Sequence, residues 1–187
     1  MEKLLELLNS VHSLSPALSA QLSEKITGRE LGKRKFLLKT GHVCRYLYFV
    51  KKGLLRFYYL KDEIEVCSRF MKEGEIIIPI SSFFRQQPSH EFIQALEDCE
   101  LLCIEYRDIQ YICRHFPEFH IVTRFLTEQY YMSSEQLLIA FRMQRSHERY
   151  AFLMRQFPEL IQRVPSKYLA SYLGITDVTF SNVKSKR

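Results

Sequence analysis

At 187 residues, 47% hydrophobic and 26% charged, the chain has room for one medium domain, or for a domain of about 110–130 residues with a small appendage. No apolar run is long enough to span a membrane. Glu2, Lys3 and Glu6 interrupt the leucines where a signal peptide would need an apolar core, so the expected location is the cytoplasm. Of 27 bases and 21 acids, nine bases and three acids fall from Arg142 onward; the 18 of each before it cancel, and the whole net charge of +6 sits in the last quarter.

Glu2–Leu8 and Pro16–Ile26 read as two short amphipathic helices, with Leu4, Leu5 and Leu8, then Leu18, Leu22 and Ile26, on their buried stripes. From about Arg29 the texture changes to short β-branched and aromatic runs: 35–38, 46–50, 54–59, 64–70, 76–80, 92–96 and 101–106. Turn signals at Thr40-Gly41, Lys52-Gly53, Lys61-Asp62, Glu73-Gly74 and Gln87-Pro88 separate them, as in an antiparallel jelly roll or related β-roll. Cys44, Cys67, Cys99, Cys103 and Cys113 are odd in number and include no C-x-x-C pair, so they read as reduced core thiols and no metal site is expected.

Asp108–His115 is a short helix, and Pro117 opens a long helical stretch with no glycine or proline before Pro158. Val122, Phe125, Met132, Ile139 and Met143 repeat at heptad spacing, with Gln129 and Gln136 filling the seam. Phe119, Leu126, Tyr130, Leu137 and Phe141 make a second stripe. Two stripes need two partners: the chain's own β-domain and the same helix of a second subunit, or two sides of one monomer. Near Ser146 the helix must end or bend, and Glu148–Phe157 forms another.

The last stretch, Val164 to Arg187, reads as two short helices about a glycine turn. Pro165 sets the first helical position, Ala170 keeps the crossing small, and Gly174 takes φ > 0. Thr176 then caps a second helix that carries Asp177 in its first turn. Leu169, Leu173, Ile175, Phe180 and Val183 fall where the two helices bury side chains against each other. This is the pattern of a helix-turn-helix, or of an ordinary αα-hairpin; the confined positive charge favours the first.

The order of elements, with glycine turns at Gly41, Gly53 and Gly74, the run from Arg45 through Tyr46-Leu47-Tyr48-Phe49-Val50-Lys51-Lys52-Gly53 to Arg56, and the tail Leu169 to Thr176, resembles the bacterial Crp/Fnr transcription regulators. The resemblance implies an α+β fold in three parts. Residues 1–116 would form a cyclic-nucleotide-binding-like antiparallel β-roll (a double-stranded β-helix or jelly roll), 117–145 a long dimerisation helix, and 146–187 a helix-turn-helix DNA-binding domain. It also implies a homodimer that contacts double-stranded DNA and RNA polymerase and has no membrane partner.

Two departures from the family pattern matter. The Gly-Glu pair that holds a cyclic nucleotide's ribose falls on Ile78-Pro79, and the Arg-led run that neutralises its phosphate falls on Ser89-His90-Glu91. A phosphate there would lose a bidentate cation and meet a carboxylate, so cyclic AMP is not expected to bind tightly and the effector is unknown. No N-terminal cysteine cluster is present to hold iron–sulfur, and none of the six histidines stands out as a haem ligand. The base-reading positions of the second helix fall on Asp177, Val178 and Asn182, suited to cytosine N4, a thymine methyl and adenine, with none for the arginine–guanine contact. Thr176, Thr179, Ser181, Lys184 and Lys186 are candidate phosphate contacts or neighbours of that face. The family's β-wing after this helix has no counterpart in the 187 residues.

A sequence-specific dimeric regulator is therefore expected. The alternative is a β-roll module for a small ligand or protein whose helix-turn-helix has lost specific DNA binding. No nucleophile–base pair, metal-ligand set or phosphate-cradling loop points to an enzyme.

Overall fold

The computed structural model describes every residue except Gln144, Lys186 and Arg187, and the backbone but not the side chain of Met143. The chain divides into two compact units: Met1–Phe57 with Phe70–Glu128, and Tyr58–Arg69 with Gln129–Arg187.

In the first unit, helices α1 (Glu2–Val11) and α2 (Pro16–Lys25) precede an antiparallel roll. Its strands are β1 (Thr27–Leu31), β2 (Phe36–Leu38), β3 (Tyr46–Lys52), β4 (Leu55–Lys61), β5 (Ile64–Met71), β6 (Ile76–Ile77), β7 (Phe92–Ala95) and β8 (Cys99–Glu105). They form two four-stranded sheets, in the orders β1-β8-β3-β6 and β2-β7-β4-β5. Strand β3 pairs with β8 from Tyr46 opposite Glu105 to Val50 opposite Leu101, and β1 flanks β8 from Thr27 opposite Cys103 to Leu31 opposite Cys99.

Val50, Leu55, Phe57, Ile77, Ile93 and Leu101 are shut inside the roll. Leu18 and Leu22 of α2 and Ile109 and Ile112 of α4 (Tyr106–His115) close the same core. Burying such a side chain stabilises the fold by roughly 1.5–3 kcal/mol, which is why these short strands hold without long ladders.

In the roll, two elements differ from the expectation. The run 76–80 is a strand only at Ile76–Ile77; Pro79 has no N–H for a ladder, and the chain turns there into helix α3 (Ile80–Arg85). Strand β1 carries no alternating apolar signal, because only Leu31 of its five residues is buried.

Gly53 links β3 to β4 with φ +97°, and its N–H donates to Glu73 Oε1 at 2.7 Å. Beside it in β4, Arg56 is 2% exposed and gives Nε and Nη2 to Gln94 Oε1 on β7 at 3.0 and 2.7 Å. A buried guanidinium must be hydrogen-bonded to be tolerated, so Gln94 is part of the reason the roll accepts it.

Long helix α5 (Phe119–Met143) begins in the first unit, where Phe119 and Val122 join the core and Leu126 packs against it. Its later turns belong to the second unit with α6 (Ser146–Gln156), α7 (Leu160–Arg163), α8 (Ser166–Leu173) and α9 (Asp177–Ser185). The break after α5 is fixed at the start of α6, where the Arg145 N–H donates to Glu148 Oε2 at 2.6 Å. The far end of the β4–β5 hairpin, residues 58–69, belongs to this unit too. Its turn, Asp62-Glu63, has φ +49° and +65°, the left-handed pair that a two-residue hairpin needs.

Candidate nucleic-acid interface

Helices α8 and α9 stand on a shared interior. Leu169, Ala170, Leu173 and Phe180 are each 1% exposed, and the Phe180 ring meets Tyr150 of α6 edge-on at 5.5 Å between centroids. Pro165 lies one residue earlier than expected, as the N-cap of α8, where its fixed φ also suits the turn. Gly174 ends α8 in the left-handed conformation, φ +65°, and Arg149 Nη1 donates to the Leu173 carbonyl at 3.0 Å, answering one of the carbonyls that the helix end leaves open. Thr176 then caps α9: its Oγ1 accepts the Thr179 N–H at 3.1 Å.

With Phe180 turned inward, the opposite side of α9 is left to solvent. Thr176, Asp177, Val178, Ser181, Asn182 and Lys184 are all exposed, and Thr179 is half-buried beside the cap. Asp177, Val178, Ser181 and Asn182 share one face through the helical i, i+4 repeat. Val178 is 70% exposed, so this pair of helices holds an apolar side chain out in water at the centre of a polar face. Lys186 lies outside the described residues.

The second expected site sits on the roll. Ile78 is half-buried and packed on the core, and Pro79 is the N-cap of α3. Ser89 is buried and spends its hydroxyl locally, accepting the Glu91 N–H at 3.0 Å and donating to the Glu91 carbonyl at 3.1 Å. Its own carbonyl accepts from Gly41 N at 2.8 Å and from Thr40 Oγ1 at 3.0 Å. His90 is exposed and Glu91 half-buried. Ser89 and Glu91 are thus tied to each other within this turn, and no lysine or arginine stands at any of the five positions.

On α5 the two apolar stripes separate. Phe119 is buried, Tyr130, though 37% exposed, accepts at its Oη from Arg69 Nη1 at 2.7 Å, and Phe141 meets Tyr172 edge-on at 5.5 Å, so this stripe has partners within the chain. On the other, Phe125 is 40%, Met132 44% and Ile139 53% exposed, with Gln129 and Gln136 also exposed. Val122 departs from the expectation. It is fully buried because the first turn of α5 is closed onto the roll, so it leaves the exposed seam. The Met143 side chain lies outside the described residues. Tyr131 and Leu138, 67% and 48% exposed, widen the seam on one flank; a strict heptad reading passes over them.

Residues 28–116 match the family model for the cyclic nucleotide-binding domain. No match is found among curated proteins. Among solved structures the fold resembles the c-di-GMP responsive global regulator CLP of Xanthomonas campestris, with a TM-score of 0.73 at 14% identity over 92% of this chain and 91% of that one. It also resembles a Crp/Fnr-family transcriptional regulator of Eubacterium rectale, with a TM-score of 0.72 at 18% identity over 92% and 83%. A third is the catabolite activator protein of Thermus thermophilus, with a TM-score of 0.57 at 22% identity over 96% and 85%. The structural neighbours of this mixed α/β chain are therefore Crp/Fnr-type regulators. Among the described residues, no helix is long and apolar enough to cross a membrane.

Proposed function

We propose that the chain is a dimeric, sequence-specific DNA-binding transcription regulator in which α8 and α9 form the helix-turn-helix. The observation that carries this reading is the exposed face of α9, where Val178, Ser181 and Asn182 stand out from a pair of helices locked by Phe180 and Leu169. Residues 142–187, which include this helix pair, hold the chain's entire positive excess. Phosphate attraction supplies affinity and positioning, and the face of α9 supplies the base contacts. Residues 1–116 act as the sensor, 117–145 as the dimerisation helix and 146–187 as the DNA-binding domain, with RNA polymerase as the further partner. The sensor's ligand is not a tightly bound cyclic nucleotide, since no cation occupies the turn at Ser89-His90-Glu91.

The dimer is built on Phe125, Met132 and Ile139, with Gln129 and Gln136 as polar layers that fix register at some cost in stability. Asp177 favours the second reading, a ligand module with a disused helix pair, because a carboxylate opposes phosphate. One substitution separates the two. Replacing Lys184 with alanine removes one phosphate contact from each subunit. The slope of log affinity against log salt should then flatten by about 2 for the dimer, with binding weakened alike on every sequence. Fluorescence anisotropy across a salt series measures it; an unchanged slope contradicts the DNA-binding reading.

A further inference from the structure

The reading face of α9 is held by more than helix packing. Ser171 of α8 reaches strand β5, where its Oγ accepts the Cys67 N–H at 3.0 Å and donates to the Glu65 carbonyl at 3.0 Å. β5 is the last strand of its sheet among the described residues, so no further strand of that sheet lines its outer edge. Residues two apart turn those groups to the same edge, and a hydroxyl both donates and accepts. One oxygen of α8 therefore replaces a rung of the missing strand.

Two further ties stand beside it. The Arg69 guanidinium lies 5.5 Å from the centroid of the Tyr130 ring while bonding its hydroxyl, and Tyr172, next to Ser171, packs on Phe141. The Ser171 bridge joins the hairpin backbone to the helix that leads, through Gly174, into α9.

Resting on the DNA-binding reading, we propose that Ser171 is a positioning residue for DNA recognition. It fixes α8, and α9 beyond it, to the far end of the β4–β5 hairpin, so residues 58–69 of the same unit hold the orientation in which Val178, Ser181 and Asn182 are presented. Without the hydroxyl, the Cys67 N–H and the Glu65 carbonyl lose their shared partner, and the α8–α9 pair gains freedom. That freedom must be removed again at each half-site, which penalises sequence-specific docking and leaves loose phosphate binding untouched.

The test compares the wild-type protein, Ser171→Ala and Ser171→Thr on two duplexes, one selected from random sequence and one unrelated, together with amide hydrogen exchange. In S171A, affinity for the selected duplex should fall about tenfold, as expected for the loss of a pair of modest hydrogen bonds, and affinity for the unrelated duplex should stay within about twofold. The Cys67 amide should exchange at least about tenfold faster. S171T, which keeps the hydroxyl, should restore both. The proposal is overturned if S171A binds the selected duplex as well as wild type, if it loses both duplexes equally, or if Cys67 keeps its protection. A wild-type protein that selects no sequence sinks the DNA reading and the role of Ser171 with it, whereas a selective wild type with an indifferent S171A sinks the second alone.

Discussion

Replacing Met132 and Ile139 together by glutamate is expected to convert the proposed dimer into a monomer whose helix content is unchanged. Both side chains are about half exposed in the single chain, 44% and 53%, so neither supports the subunit's own core and the charges stay solvated in the monomer. In a helix pair they would be desolvated against their symmetry mates, with like charges facing across the axis. Breaking a buried layer with an unpaired charge costs several kcal/mol, so the dimer dissociation constant should rise by at least about a hundredfold. Sedimentation velocity at micromolar protein reads the mass, and circular dichroism checks that α5 persists. Val122→Glu is the contrast: that side chain is closed into the roll, so the variant should fail by unfolding the first unit rather than by separating subunits.

The second large effect belongs to Gly53. A methyl group there would lie 2.6 Å from Cys99 Sγ, 2.7 Å from the Asp98 carbonyl oxygen and 2.9 Å from Cys99 Cα. Two of those atoms are backbone at the start of β8 and cannot swing aside, and φ +97° is itself disfavoured once a Cβ is present. Backbone strain and overpacking together put the loss for Gly53→Ala at roughly 2–5 kcal/mol, a large part of the stability of an ordinary domain. Chemical denaturation should show a lower midpoint at similar slope. Gly28→Ala, where nothing lies within 4 Å of the added carbon, should change stability by no more than about 0.5 kcal/mol.

Much of this was legible in the residues because it is written in periodicity and in glycine. Gly53 and Gly174 mark turns that do have positive φ, and Phe119 and Ile139, placed on different stripes of α5, are buried and exposed respectively, since a 3.6-residue repeat fixes which side chains share a face. The interior of the α8–α9 pair, with Leu169, Leu173 and Phe180 shut in, follows from the same spacing.

What escaped has no local signal. Ile80–Arg85 has too few residues for a helical period to stand out from the strand-like isoleucines before it, and Pro79 alone hints at the change. The Ser171 bridge and the Arg56–Gln94 pair join residues 104 and 38 positions apart, which no window on the sequence can see. Val122 obeys the heptad and is nonetheless buried, because the pattern gives the face of a helix and not the turn at which its neighbour changes from roll to solvent.

The most direct measurement is the sequence of the DNA the protein retains from a pool of random duplexes at near-physiological salt. Two copies of α9 on a symmetric dimer should enrich an inverted repeat whose half-sites are centred about 34 Å apart, one helical turn, without the guanine contacts that an arginine would give. A retained pool with no repeat, bound no better than the starting mixture, would contradict the account.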